Sequence, residues 1–167
     1  MKLPANGTNK TAVVGAVAAA LALAVPFAVP MISKWESGGR ARLEPYRDPV
    51  GIWTVCDGET RVPMRRYSEA ECRAMTEAAT REFGREVLAC TPGIAGRPRL
   101  LAAAVVFAYN VGSAAYCRSG VARAFREGRF VAGCDALLQW KYAGGRMLPG
   151  LLNRRRDERR LCLEDAG

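Results

Sequence analysis

The stretch Trp35-Glu36-Ser37-Gly38-Gly39-Arg40-Ala41-Arg42-Leu43-Glu44-Pro45-Tyr46-Arg47-Asp48-Pro49-Val50-Gly51-Ile52-Trp53-Thr54-Val55-Cys56-Asp57-Gly58-Glu59-Thr60 decides how this chain is read. It is rich in Gly, Pro, aromatic and β-branched residues. Val50–Val55 reads as a strand and Asp57-Gly58 as a turn, which predicts a short β-hairpin region. Glu36 stands where the chain leaves an apolar helical run, and Asp48 enters the hairpin. Asp48, Ile52 and Thr54 differ by even numbers, so a regular strand would put a carboxylate and a hydroxyl on one face. A pair of carboxyl groups with a hydroxyl beside one of them is what glycosidic cleavage needs: one group protonates the leaving oxygen, the other handles water or developing charge.

After residue 62 the pattern becomes helical. Ser68-Glu69-Ala70-Glu71 is a capping-box signal that opens a helix toward Cys90, and Thr91-Pro92-Gly93 ends it. Pro98 precedes the Ala-rich run Arg99–Val111, a buried central helix stopped by Gly112. Shorter helices are expected near Val121–Glu127, Val131–Lys141 and Leu151–Leu163, separated by Gly128, Gly144-Gly145 and Gly150. The predicted class is α+β and mainly α, a small β element followed by a larger helical lobe with a cleft between them.

Before Trp35 lies an uncharged run of 22 residues, Thr11–Ile32, long enough to span a bilayer core as a helix. Eight Ala, one Gly and two Pro dilute its Val, Leu, Ile and Phe, so it partitions weakly. A cleaved signal, a stable anchor, a weak anchor that later leaves the bilayer and a buried core helix are all readings of this run. The weak, releasable anchor is preferred. The division is then a cytoplasmic tail at 1–10, the anchor at 11–32 and the folded domain at 33–167. Basic residues flank both ends of the run, so charge bias does not by itself set orientation.

Composition narrows the chemistry. The 167 residues contain no His, which excludes Ser-His-Asp hydrolysis, His-assisted cysteine catalysis and the usual zinc hydrolases. No metal or other cofactor is expected. Cys56, Cys72, Cys90, Cys117, Cys134 and Cys162 all follow the apolar run, and none forms a CxxC pair. An even count fits up to three disulfides in an oxidising compartment, with all pairings open. The formal net charge of +9 points to an anionic partner. The arginines at 154–156 and 159–160 suggest nucleic acid, but Asp157 and Glu158 interrupt them, and they read as a solvated helix face.

The region from Glu36 to Thr60 resembles the active-site region of phage-type lysozymes, glycoside hydrolase family 24. The resemblance extends through Phe107–Gly112, Trp140–Gly145 and Gly150–Glu158, and with the weak anchor it resembles the signal-arrest-release endolysins of lambdoid-type phages. It implies a lysozyme-like fold and a muramidase acting on peptidoglycan, with Glu36 as general acid. Asp48 would position water or stabilise positive charge, and Thr54 would orient the water. Asn110 is implied as a substrate-binding cleft residue, although a helix-ending polar side chain serves equally as a local hydrogen-bonding group. The family usually separates its Glu and Asp by nine positions, whereas twelve separate them here, and Glu44 competes with Glu36. The implied partners are peptidoglycan and the inner membrane, through residues 11–32, with no nucleic acid and a monomeric enzyme. The implied location is the bacterial inner membrane, N-terminus cytoplasmic, followed by release into the periplasm.

Overall fold

The computed structural model describes residues 7–48 and 50–167; residues 1–6 of the expected N-terminal tail, and Pro49, lie outside the described residues. The chain opens with a single helix, α1 (Gly7–Ser37), that runs without a break through the predicted anchor and on to Glu36. Pro26 and Pro30 do not interrupt it. Both are exposed and stand four residues apart, so the carbonyls that lose their amide donors lie on the solvent side. Ala20, Leu21, Ala24, Val25, Ala28, Val29 and Ile32 on the other side are buried.

The hairpin consists of β1 (Arg42–Arg47) and β2 (Trp53–Cys56), antiparallel, with Tyr46 opposite Thr54 and Arg47 opposite Trp53. The strand begins later than the β-branched run predicts. The Asp48 carboxylate accepts the amides of Val50 (3.0 Å) and Ile52 (2.8 Å), and Gly51 has φ +87°, so Val50 and Gly51 are spent on the turn. The capping box predicts the next helix correctly: α2 (Glu69–Cys90) is capped by Ser68, whose hydroxyl receives the Glu71 amide while Glu71 receives the Ser68 amide.

The central helix α3 (Pro98–Val111) has nine consecutive buried residues, Leu100–Ala108, and packs against both α1 and α2. Three short helices follow: α4 (Ser113–Arg118), α5 (Gly120–Arg126) and α6 (Phe130–Ala136), the last continued by a 3₁₀ turn over Leu137–Gln139. A two-residue hairpin, β3 (Tyr142–Ala143) and β4 (Arg146–Met147), turns on Gly144-Gly145, both with positive φ. The chain closes with α7 (Pro149–Leu163) against α3. The expected layout, a small β element and a larger helical body, is the one observed.

The six cysteines form three bonds. Cys56–Cys72 ties the hairpin to α2, Cys90–Cys117 ties α2 to α4, and Cys134–Cys162 ties α6 to α7. In a chain-entropy account, loops of this size contribute about 3 kcal/mol each.

The α2 cap also predicts a pH effect. Hydrogen bonds from Ser68 and Arg65 hold the Glu71 carboxyl at about 2, well below its ordinary value. A depressed acid stabilises the fold above its unfolded pKa near 4.5 and stops doing so as pH falls through about 2. Glu71→Gln is therefore expected to lower the melting temperature at pH 6, with the difference from wild type vanishing toward pH 2. A constant difference across that range in thermal melts would contradict it.

Candidate active site

Glu36 lies in the last turn of α1. Its Oε1 accepts a hydrogen bond from Arg154 Nη1 on α7 at 2.8 Å, across 118 residues of sequence. The Glu36 side chain keeps 26% of its surface open, while Arg154 keeps 6%. One carboxyl oxygen is thus held while the side chain stays partly open to solvent. Arg154 is fixed in turn: its Nε donates to Glu158 Oε1 at 3.2 Å and its Nη2 to the Val106 carbonyl at 3.4 Å.

Glu158 also takes Arg155 Nη2 at 2.8 Å, and Arg155 and Glu158 are fully buried. The Arg155 guanidinium lies 4.9 Å over the Phe107 ring. Burial pushes the Glu158 carboxyl up from the usual carboxylate range, against the pull of both guanidiniums. Arg154 and Arg155 therefore do not belong to a solvated face. The expectation holds for exposed Arg156 and Arg160 and for partly exposed Arg159. A helical reading of α7 places 151, 154, 155, 158 and 162 on one side, and Cys162 on that side was the available signal.

The hairpin supplies a second group of residues. Among the described residues no hydrogen bond joins Asp48 and Thr54, but both are bonded to one residue between them. The Asp48 carboxylate accepts the Ile52 amide, and the Thr54 hydroxyl donates to the Ile52 carbonyl at 3.1 Å. Thr54 is buried and Asp48 half-buried. Glu44, the competing acid, is exposed on β1 and pairs with Arg66 at 3.3 Å. Asn110, exposed at the end of α3, accepts from Arg155 Nη2 at 3.0 Å. It is thus connected to Glu36 through Arg155, Glu158 and Arg154.

Two further groups near this site went unread in the sequence. Tyr109 packs on Phe83 of α2, with ring centroids 5.1 Å apart. Burial, followed by the negative charge of Glu36, Glu59 and Asp57, pushes its phenol up to about 12, so it stays a neutral hydrogen-bonding group. Tyr109, Phe83, Glu59, Arg61, Glu82 and Glu86 line a polar cavity of about 270 Å³ beside the segment that follows β2. Asp57 accepts hydroxyl donors from α1 and α2. A larger apolar groove of about 780 Å³ lies between α1 and α2 near Val13–Leu21, toward the other end of α1 from Glu36.

Comparison with known proteins places these features in context. The family model described as Phage lysozyme matches residues 34–158. The SAR-endolysin of Bacteriophage PS119 is 37% identical over 127 residues, covering 73% of this chain and 74% of its own. That of Enterobacteria phage P21 is 36% identical over 124 residues, covering 71% and 73%. Among solved structures, the muramidase domain of SpmX from Asticaccaulis excentricus aligns with a TM-score of 0.69 at 25% identity, covering 81% of this chain and 94% of that one. The crystal structure of the active form of P1 phage endolysin Lyz aligns with a TM-score of 0.70 at 25% identity, covering 80% and 81%.

Proposed function

The chain belongs to the phage lysozyme family, and from that premise we propose that it is an endolysin hydrolysing the β-1,4 bond between N-acetylmuramic acid and N-acetylglucosamine in peptidoglycan. The observation that carries this reading is Glu36, held by Arg154 at the end of α1 with its side chain partly open to solvent. Glu36 acts as general acid toward the leaving oxygen. Asp48 positions the attacking water or stabilises positive charge on the sugar, and Thr54 orients that water. Asn110, at the open end of α3, contacts the glycan. The basic surface attracts the anionic wall, the enzyme acts as a monomer, and neither metal nor nucleic acid takes part.

The test is digestion of purified peptidoglycan followed by mass analysis of the fragments. Reducing N-acetylmuramic acid ends are expected. Fragments ending in 1,6-anhydromuramic acid would assign a lytic transglycosylase, and no fragments at all would leave a wall-binding protein.

The same reading includes an inactive membrane-bound state. Ala20, Leu21, Ala24, Ala28 and Ile32 are part of the main core of the folded enzyme. They would face lipid if α1 spanned the inner membrane with its N-terminus in the cytoplasm, and one set of side chains does not fill both places. Glu36, four residues beyond Ile32, would then be held ~6 Å from the bilayer edge. Release of α1 into the periplasm lets it complete the core.

Ala18, Ala19 and Ala22 are exposed in the folded enzyme, so leucine there strengthens membrane partitioning without crowding the core. The triple variant is expected to fractionate with membranes and delay lysis. Wild-type fractionation and lysis timing would count against a releasable anchor.

A further inference from the structure

Asp57 is a buried carboxylate, 6% exposed, with no guanidinium or ammonium paired to it among the described residues. Its partners are hydroxyls. Oδ1 accepts Ser37 Oγ at 2.6 Å and Ser33 Oγ at 3.3 Å, and Oδ2 accepts the buried Thr76 Oγ1 at 2.9 Å. Ser37 and Thr76 each also lie near a helix carbonyl, at 3.0 and 3.1 Å. The carboxylate is the nearer acceptor in both cases and the charged one, so it takes the proton. A buried charge without a cation is costly, and a neutral residue would fill this space without that cost.

Placement suggests what the arrangement achieves. Asp57 follows β2 directly. Cys56 before it is bonded to Cys72, and Thr76 stands one turn beyond Cys72 on α2. The carboxylate is therefore fixed against α2 and reaches across to α1. Ser33 and Ser37 lie on one side of the last turn of α1, and Glu36 projects from the neighbouring side of the same turn. After that turn Gly38 and Gly39 follow, both with positive φ, and the Gly39 amide closes the helix end onto the Ser33 carbonyl at 3.0 Å, so the side-chain bonds to Asp57 are what join this turn to the hairpin.

We propose that Asp57 is a positioning residue that joins the hairpin bearing Asp48 and Thr54 to the helix turn bearing Glu36. Arg154 holds the Glu36 side chain from α7, and Asp57 holds the turn beneath it. Without these hydroxyl bonds the turn loses its side-chain tie to the hairpin, which the disulfide keeps against α2, and the distance between the two groups is less well fixed. The inference rests on the muramidase reading above.

The test measures kcat and KM on soluble peptidoglycan fragments for the full-length chain. Asp57→Ala and the double variant Ser33→Ala/Ser37→Ala are expected to lose kcat by roughly 10- to 100-fold, the size of effect that slight misplacement of a reacting group produces, with KM within about twofold. Asp57→Asn, which keeps a carbonyl oxygen for the serines, is expected to recover most of that loss. If Asp57→Ala does not fold, the double serine variant decides alone, since it leaves the hairpin carboxylate in place. Folded variants with wild-type kcat, or with only a lower melting temperature and higher KM, overturn the proposal. Wild type is run beside them: failure of wild type to cut glycan defeats the muramidase reading itself, whereas active wild type with equally active variants defeats only the role of Asp57.

Discussion

Glu36→Gln is expected to lower the rate of wall hydrolysis by about 10²–10⁴-fold, the usual contribution of a general acid. The fold should survive the change. The amide oxygen of glutamine still accepts the Arg154 Nη1 hydrogen bond, and the side chain retains its shape and its partial exposure. The variant should melt close to wild type and bind wall with unchanged affinity, so that the loss falls on turnover. Turbidity clearing on permeabilised cells gives the rate, and co-sedimentation with insoluble wall gives the binding. Glu44→Gln is the control. Its carboxylate is exposed and paired only to exposed Arg66, and such surface pairs contribute about 0–1 kcal/mol. Wild-type rates in Glu36→Gln together with a collapse in Glu44→Gln would move the acid to Glu44.

The largest loss of stability is expected at Glu158. Arg155 is fully buried and Glu158 supplies its counter-charge at 2.8 Å; Nε and Nη1 of Arg155 have no protein acceptor among the described residues. Glu158→Ala leaves a buried guanidinium facing only the Asn110 amide and the Phe107 ring. Removing one partner of a buried pair costs about 3–5 kcal/mol. In a domain of this size that corresponds to a fall in melting temperature of roughly 6–20 °C. Pairing Glu158→Met with Arg155→Met removes both charges and should restore much of the loss, as apolar replacement of buried ion pairs often does. Melting temperatures of the two single variants and the double variant form a cycle, and additive losses would show that the two residues do not act as a pair. Activity should fall in the Glu158 variant beyond its stability loss, because Arg154 then loses the contact at 3.2 Å that fixes its grip on Glu36.

Parts of this molecule are legible from short stretches of sequence because the forces that make them are local. The Ser68 capping box, the Ala-rich α3 and the Gly144-Gly145 turn each depend on residues within four or five positions. The β1–β2 hairpin region is also legible, and the late start of β2 has a local cause, the Asp48 side chain capturing amides two and four residues on. Glu36, Asp48, Thr54 and Asn110 were singled out from residue type and from resemblance to a family.

Other features needed distant partners. Whether an arginine is solvated or buried depends on whether a carboxylate arrives to meet it. Nothing within α7 alone shows that Arg154 will meet Glu36 or that Arg155 will be buried against Glu158. Asp57 reads locally as a turn former, because the hydroxyls it receives are 19 to 24 residues away. Cysteine count indicated cross-links, but pairing followed from which helices lie side by side.

The sequence by itself determined the longer helices, the hairpin region and an uncharged apolar run of 22 residues, Thr11–Ile32, that leads toward Glu36. Only the tertiary structure decided that this run forms part of the core of the enzyme. An apolar alanine stripe is equally content in lipid or against α3, since burial is favourable wherever water is excluded. The choice falls to the surface that receives it: Gly84 of α2, where a Cβ would overlap Leu21, and the alanines of α3 leave room for α1 to pack closely.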